Sequence, residues 1–348
     1  MSDFAQNYIS EEPVRNPLVS IVIPFYNLEG TVTRCLSSVL AQTFTDFEVV
    51  CVDDGSTDKT GDLLDHYSRY DSRVRVIHQQ NGGLSDARNH GVDSCRGLYV
   101  SFVDGDDVVS PTYLELLISA MDGAVDRLVI GNFKPIPEAR LGNESNEWPT
   151  SAPAKLVSRE KASREILVKH LPTFAQAKLF GRSYYQEHPF PVGVRYEEIR
   201  TIGKLMANVN EVSVVDAPIY GYVLREGSIV LASNATGEQG LEYIDAILTA
   251  LDDFADLGYE LDYELAFFKS LMFTRVHDFA KRIRDPEESR IVDDVAQAAV
   301  RESWHKAILC RSASMSQRMR VALFRANLPL YDKAMTAYNH YIKGMGAR

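Results

Sequence analysis

Short apolar runs alternate with amphipathic segments over the first hundred residues of the chain. Runs rich in β-branched residues, typical of buried strands, lie at 18–23, 47–52, 74–77 and 98–103. One apolar helix face follows the first run, with the helical spacing of Val32, Cys35, Leu36, Val39 and Leu40. This alternation predicts βαβ units, and so an α/β fold with a mostly parallel sheet that helices cover on both faces.

The pattern changes after the fourth run. Residues 134–155 are rich in Pro, Asn, Ser and Glu, and they are predicted to form a loop or flap. Helices are predicted near 159–170 and from about Glu197, a strand at 219–224, and helices almost throughout from about residue 237. We therefore expect three parts, namely an N-terminal extension (1–16), an α/β domain (17–235) and a C-terminal helical region (236–348).

The charge of the chain is acidic and uneven. The 348 residues are 45% hydrophobic and 24% charged, with a formal net charge of −11. That charge argues against a nucleic-acid-binding protein, because phosphate backbones require a basic surface. From Lys306 onward eight basic residues face one acid, Asp332, so this tail carries +7 and residues 1–305 carry −18.

Cysteine usage and hydropathy bear on the location of the protein. The four cysteines form no CxxC pair, so they are expected to be buried free thiols in a reducing compartment. No stretch approaches 18 consecutive apolar residues, and the first twelve residues lack the apolar segment of a signal peptide. We expect a cytosolic protein, peripheral to a membrane at most.

Polar or turn residues follow every predicted strand. They are PFYN (24–27), DDGS (53–56), NGG (81–83) and DGDD (104–107). In open α/β sheets ligands bind outside the carboxyl ends of the strands. The DGDD segment suits a divalent cation that stabilises a diphosphate leaving group, although an ordinary Asp-Gly turn is an alternative. An EF-hand is disfavoured because Val109 stands where that loop requires glycine.

Four segments carry a resemblance to a known family. PLVSIVIPFYN (17–27), LAQTFTDFEVVCVDDGSTD (40–58), QQNGGLSDARNHG (79–91) and GLYVSFVDGDD (97–107), in this order, closely resemble the family 2 inverting glycosyltransferases, which have the GT-A fold. The resemblance covers about residues 17–230. QAKLFGRSYY (176–185), GVRYEEIRTIGKL (193–205) and PIYGYVLREGSI (218–229) are similar to the branch that builds bacterial capsules, exopolysaccharides and wall glycans.

The resemblance implies a division of the α/β domain and a role for particular residues. Residues 17–110 would form the nucleotide-sugar-binding half and 111–235 the acceptor-side half. The implied nucleotide-sugar site comprises Pro24, Tyr26, Asp53, Asp54, Asn81, Gly82, Arg88 and Asp104. Asp54 would accept from the nucleotide base, and Arg88 would lie near the donor phosphates or sugar. Asp106 would be the main ligand of Mn²⁺ or Mg²⁺, with Asp104 beside it.

The general base of the family is usually the acid that ends a Glu-Asp pair at a helix start. The matching positions here are Glu197 and Glu198, so Glu198 is the predicted base, with Glu where Asp is usual. The extra methylene moves the carboxylate by about a bond length, and a misplacement of about 1 Å can cost roughly a hundredfold in rate. The structural alternative is a pair of carboxylates favoured by a helix N-terminus.

The resemblance implies transfer of a sugar from a nucleotide-diphosphate donor, commonly a UDP-sugar, to an acceptor hydroxyl. The acceptor would be a glycan or a lipid-linked oligosaccharide in bacterial surface polysaccharide synthesis. Two alternatives stay open. One is a sugar-nucleotide-binding protein that has lost turnover. The other is a sugar nucleotidyltransferase, although PFYNLEGTVTR lacks the Gly-rich basic loop expected against a triphosphate.

The basic tail contains an amphipathic helix pattern at 315–331. A single stripe holds Met315, Met319, Ala322, Leu323 and Ala326. One interpretation is attraction to an anionic membrane face, which would suit a lipid-linked acceptor. The other is that the stripe packs on the acidic body of the protein itself.

Overall fold

The computed structural model describes residues 16–124, 126–141, 148–224 and 235–346. The strands within them are β1 (Val19–Phe25), β2 (Phe47–Asp53), β3 (Val74–His78), β4 (Tyr99–Phe102), β5 (Val108–Val109), β6 (Arg127–Pro137), β7 (Ala154–Ser158), β8 (Lys178–Gly181) and β9 (Glu211–Leu224). The helices are α1 (Val32–Leu40), α2 (Thr60–Tyr70), α3 (Leu84–Ser94), α4 (Tyr113–Met121), α5 (Arg159–Leu167), α6 (Arg182–Glu187), α7 (Glu197–Ala207), α8 (Gly237–Ala255), α9 (Asp262–Ala280), α10 (Pro286–Ala307), α11 (Met315–Ala326) and α12 (Leu328–Gly346), with a 3₁₀ turn at Glu138–Arg140.

The first half of the sheet is parallel, as the alternation predicted. β2 and β4 flank β1, and β3 extends the sheet beyond β2, all in parallel pairs. Successive strand residues point to opposite faces, so Val22 joins the core on the α3 side while Ile21 joins the core under α1 and α4. Helices therefore cover both faces, and the α/β prediction is confirmed.

The second half makes the sheet mixed. The strand order is β3-β2-β1-β4-β8-β6-β9-β5, with β7 paired to β9. β8 runs antiparallel to both β4 and β6, and β6 runs parallel to β9. The predicted parallel pairing is therefore observed for β1–β4. The remaining strands include antiparallel pairs, so the sheet as a whole is mixed rather than mostly parallel.

The segment 134–155, predicted to be a loop or flap, contains strand structure, so that prediction was wrong in part. β6 continues to Pro137, and β7 begins at Ala154. Because β8 pairs only with Val129 and Ile130, the later part of β6 has, among the described strands, a sheet neighbour on the β9 side alone. Prolines are tolerated at such a position because their missing N–H faces no second strand.

The C-terminal helices share a core with the sheet. Sheet elements end at Leu224, and α8 begins at Gly237 after a capping box formed by Thr236 and Gln239. Phe254 of α8 and Phe267 of α9 lie in the same buried cluster as Phe102 of β4. The division at 235 remains a prediction. Among the described helices, none combines the length and apolar character needed to cross a bilayer.

The two methionines of the predicted stripe on α11 face outward. Met315 and Met319 are 64% and 63% exposed, whereas Val321 and Phe324 are buried against the other helices. Leu323, a third member of the stripe, is partly buried against the same core, so the stripe is exposed only in part.

Candidate functional site

The polar segments that follow the parallel strands lie along one edge of the sheet. Phe25 at the end of β1 pairs with Asp53 at the end of β2, and Asp53 pairs with His78 at the end of β3. Phe102 ends β4 and is followed within five residues by the DGDD loop. The backbone register thus brings residues that are distant in sequence to a common edge.

The DGDD loop is held against the end of β1 and the start of α1. A Cβ added to Gly105 would lie 2.5 Å from Cδ1 of Phe25 and 2.9 Å from the carbonyl oxygen of Pro24, so only glycine allows this approach. Thr31 donates to the Gly105 carbonyl at 2.8 Å, and Arg34 donates to the Asp106 carbonyl at 2.7 Å. The loop is therefore fixed through its backbone.

Arg88 on α3 joins three carboxylates from two other parts of the chain. Its guanidinium donates to Glu197 at 2.8 Å, to Glu198 at 3.0 Å and to Asp104 at 3.2 Å. The side chain is fully buried, and these carboxylates raise its pKa despite its burial. The predicted position of Arg88 beside the donor stays a prediction, and the structure adds that this side chain links the DGDD loop to the start of α7.

Glu197 and Glu198 begin α7 directly after Tyr196, which adopts the left-handed φ of 61°. Glu197 is buried, whereas 24% of the Glu198 side chain is exposed. Burial raises the pKa of the Glu198 carboxyl. The Arg88 guanidinium opposes this rise, while the negative charges of Glu197 and Asp104 add to it. This carboxyl therefore holds a proton more readily than an ordinary glutamate does.

Asp54 organises the loop after β3. Its carboxylate accepts from the backbone N–H groups of Gly82 and Gly83 and from the Gln79 amide, each at 2.8 Å. Two carboxylate oxygens offer about four acceptor positions, so one position is left for a ligand N–H. The contact of Asp54 with a nucleotide base stays a prediction. The structure shows a second role for Asp54, which is to position the loop after β3.

The other predicted nucleotide-sugar residues surround Asp54. Asp53 is buried and accepts from the Ser56 N–H at 3.0 Å, with His78 Nδ1 at 2.9 Å from its other oxygen. Pro24 is buried in β1, and Tyr26, 49% exposed, follows that strand at the rim. Asn81 and Gly82 are exposed, and the Asn81 amide donates to the Asp54 carbonyl at 3.0 Å.

Sequence reasoning missed Asp107, the last residue of DGDD. Its buried carboxylate accepts from the Tyr220 hydroxyl at 2.6 Å and from the Val223 N–H at 2.8 Å. Burial, reinforced by the charge of Asp104, raises its pKa to about 8. Tyr220 and Val223 lie in the PIYGYV segment, which contributes to the family resemblance. The resemblance implied no role for either residue.

Gln176 and Lys178 were also missed, and both lie in the QAKLFGRSYY segment. The Gln176 amide donates to Asp104. Lys178 is buried and donates to the Phe174 carbonyl. Burial lowers the pKa of Lys178 to about 7, against the opposing effect of the Glu198 carboxylate. The motif gave no indication that either side chain points toward the acidic residues.

The residues present fit a divalent cation. Oxygen atoms of Asp104, Asp106 and Asp107 lie within 4.8 Å of one another. Carboxylate oxygens are the ligands that Mg²⁺ and Mn²⁺ prefer. The raised pKa of Asp107 reflects buried negative charge that a cation would offset. The arrangement can therefore hold a metal at the DGDD loop.

The chain is similar to several known proteins. The family profile described as "Glycosyl transferase family 2" matches residues 20–187. GlyG of Streptococcus pneumoniae, described as a glycosyltransferase, is 30% identical over 226 residues, which are 61% of this chain and 73% of GlyG. EpsJ of Bacillus subtilis, described as an uncharacterized glycosyltransferase, is 44% identical over 125 residues, and the match spans only 36% of each protein.

A solved structure has a similar fold over nearly the whole chain. Residues 1–349 of Staphylococcus aureus TarS, solved in complex with UDP-GlcNAc, superpose with a TM-score of 0.64 at 22% identity, covering 94% of this chain and 92% of that one. This similarity shows the GT-A fold with its C-terminal helices.

Proposed function

The chain belongs to glycosyl transferase family 2, and from that premise we propose that it is an inverting glycosyltransferase. It transfers a sugar from a nucleotide-diphosphate donor, a UDP-sugar, to an acceptor hydroxyl in bacterial surface polysaccharide or glycan synthesis. The UDP-GlcNAc bound to TarS supports this donor class. The acceptor is a glycan or a lipid-linked oligosaccharide, and nucleic acid is not a partner, as the net charge of −11 also suggests.

The observation that carries the proposal is the buried ion cluster around Arg88. It places Asp104, from the predicted donor and metal side, within reach of the same guanidinium as Glu197 and Glu198. Donor cleavage and deprotonation of the acceptor must happen at neighbouring positions. That chemistry requires the metal-side acid and the two acids of α7 to lie close together, as they do around Arg88.

Asp106 and Asp104 would hold Mn²⁺ or Mg²⁺. The bound ion would neutralise the negative charge that develops on the departing diphosphate. On the protein side, Pro24, Tyr26, Asp53 and the loop held by Asp54 bind the nucleotide. Asn81 and Gly82 form the exposed part of that loop. Residues 17–110 thus serve the donor and residues 111–235 the acceptor.

Glu198 is the proposed general base. It takes the proton from the acceptor hydroxyl as that oxygen attacks the anomeric carbon from the face opposite the diphosphate. Base assistance of this kind contributes roughly 10²- to 10⁴-fold. Glu197 and Arg88 position Glu198, and the exposed quarter of its side chain leaves an approach for the acceptor.

A binding protein without turnover is the second candidate. One Glu198 oxygen is held by Arg88, and the Ala175 N–H also donates to this carboxylate. These two contacts occupy acceptor positions of the carboxylate that the proton of an acceptor hydroxyl would otherwise use. The nucleotidyltransferase alternative loses support from the family match.

The test is incubation with Mn²⁺ and a panel of nucleotide sugars, with measurement of released nucleoside diphosphate. We expect metal-dependent release from one UDP-sugar, loss of that release in Asp106→Ala, and normal release in Asp93→Ala, which removes an exposed acid on α3. Donor binding without release or transfer would favour the second candidate. If no donor bound or reacted, the proposal would be wrong.

We further propose that the protein acts at the cytoplasmic face of the membrane, through α11. Its exposed methionines and the tail charge of +7 support attraction to anionic lipid. Pelleting with phosphatidylglycerol vesicles at low salt should be reduced in the double variant Met315→Gln/Met319→Gln and kept in Leu156→Gln, an exposed apolar position on β7. Absence of pelleting by the wild-type protein would refute the idea.

A further inference from the structure

Two phenylalanine rings meet at the surface beside the acidic residues of the site. Phe133 on β6 and Phe174 before β8 form this aromatic pair, with ring centroids 4.9 Å apart and planes at 82°. Phe133 is 42% exposed, and it is the one exposed phenylalanine in the described part of the chain. Phe174 is partly buried and packs against the core under α1 and α4. The pair therefore presents a fixed apolar surface to solvent.

The two rings meet because the chain turns sharply before it enters β8. The Gly131 N–H donates to the Ala177 carbonyl at 2.7 Å, just beyond the last residue pair between β6 and β8. Ala177 adopts the left-handed φ of 56°, which is unfavourable for alanine. Phe174, three residues earlier, then contacts the Phe133 ring. The surrounding contacts thus hold a strained turn in the position that forms the aromatic pair.

Both members of the aromatic pair are connected to Asp104 of the DGDD loop. Two residues after Phe174, the Gln176 side-chain amide donates to the Asp104 carboxylate. Phe133 is paired with Tyr220 across β6 and β9, and paired residues of neighbouring strands share a face of the sheet. The Tyr220 hydroxyl accepts from the Asp104 N–H at 3.1 Å. The aromatic pair therefore lies next to the proposed metal side of the site.

The aromatic pair also borders the helix that carries the proposed base. Phe174 lines a small recess together with Thr201 of α7. The Thr201 hydroxyl donates to the Glu197 carbonyl at 2.9 Å, so the recess reaches the first turn of α7, which contains Glu198. An acceptor that lies against the aromatic pair would therefore be adjacent both to the DGDD loop and to the start of α7.

The chemistry of the aromatic pair suits a sugar ring. A pyranose carries C–H groups on one face and hydroxyl groups around its rim. The C–H groups are slightly positive, and the face of an aromatic ring is negative, so the two faces attract each other. Single exposed apolar side chains are common on protein surfaces. Phe133 differs from them because it contacts a second ring and lies beside both sets of acids.

We propose that Phe133 and Phe174 form a subsite that stacks on a pyranose ring of the acceptor, which orients the acceptor so that its hydroxyl reaches Glu198. The inference rests on the proposed function and names the chemical class of the acceptor as a glycan that is recognised through a sugar ring. Stacking depends on ring C–H groups, so it tolerates changes in the hydroxyl pattern of the sugar.

The test is saturation-transfer NMR on protein saturated with UDP and Mg²⁺, with the methyl glycosides of glucose, galactose, N-acetylglucosamine and N-acetylgalactosamine as probes. We expect at least one glycoside to bind, with the strongest saturation at its ring C–H groups. Phe133→Ala should weaken binding by about tenfold because the stacked ring is lost, whereas Phe133→Tyr should keep it. The control Tyr263→Ala, which removes an exposed ring on α9, should bind like the wild type. Thermal melting verifies that every variant is folded.

The inference is contradicted if no glycoside binds the wild type, or if Phe133→Ala binds with wild-type affinity. Calorimetric titration with the panel of UDP-sugars forms a second arm, in which Phe133→Ala should match the wild type. A selective loss of donor affinity in Phe133→Ala would assign the ring to the donor sugar and contradict an acceptor subsite. The proposed function fails separately, through absence of metal-dependent UDP release by the wild type, and glycoside binding can be measured in either case.

Discussion

Arg88 is the residue around which the site is assembled. It is separated from Glu197 by 109 positions, yet the two side chains are 2.8 Å apart. The sequence motifs pointed to Arg88 and Glu197 separately, because each motif is local. The sequence could not predict that one guanidinium joins them, because that contact depends on how α3 and α7 pack in three dimensions.

Loss of Arg88 should destabilise the fold as well as the site. Arg88→Met leaves three carboxylates around a buried position without their cation, so the free energy of unfolding should fall by roughly 3–5 kcal/mol. Urea denaturation measures this, with Arg96→Met as control for an exposed arginine. A change of less than about 1 kcal/mol would mean that the ion cluster is not a structural element.

Glu198→Gln separates catalysis from binding. The amide keeps the size of the side chain but cannot take a proton, so UDP release with water as acceptor should fall by roughly a hundredfold or more. The Kd for UDP should change little. Glu187→Gln, which alters an exposed carboxylate on α6, is the matched control. Normal turnover in Glu198→Gln would show that Glu198 is not the general base.

At the scale of elements, the parallel strands were predictable and several later ones were not. β1, β2 and β4 are apolar runs buried on both faces, a pattern visible in one dimension, and β3 at the edge of the sheet is a shorter run that is partly buried. β8 is four residues long and starts with a buried lysine, and β9 contains Asp216 and Pro218 in its interior. These strands form because partner strands complete their hydrogen bonds, and such pairing is not encoded in local periodicity.

His277 links three of the C-terminal helices and makes their stability depend on pH. From α9 it contacts Asp293 of α10, and its Nε2 lies 3.1 Å from Asp332 of α12, which also pairs with Lys281. Burial alone would lower the pKa of His277, but hydrogen bonds to Asp293 and Asp332 outweigh it, so the pKa is raised above 6.5. The neighbouring Lys281 charge opposes that rise only in part.

A raised folded-state pKa means that His277 stabilises the protein fully below pH 6.5 and progressively less as pH rises through the folded value. The unfolding midpoint in urea should therefore decrease over that interval in the wild type. The decrease should be smaller in His277→Gln. The control His305→Gln, which alters a histidine of α10, should show the same decrease as the wild type. Equal slopes in all three proteins would show that the contact carries no linked proton.

At the scale of the whole molecule, the C-terminal helices are part of the enzyme body. Phe267 and Phe268 of α9 are fully buried in the core that also contains Phe102 of the sheet. The sequence predicted a separate helical region because its periodicity changes near residue 237. It gave no sign that this region completes one face of the sheet, since amphipathic helices do not specify what they cover.

The central claim is that the DGDD edge binds a nucleoside diphosphate together with a metal ion. Calorimetric titration of UDP with and without Mn²⁺, in the wild type and in Asp106→Ala, tests it most directly. We expect UDP binding that is strengthened by Mn²⁺ in the wild type and a loss of that strengthening in Asp106→Ala. Equal metal dependence in both proteins, or no UDP binding in either, would contradict it.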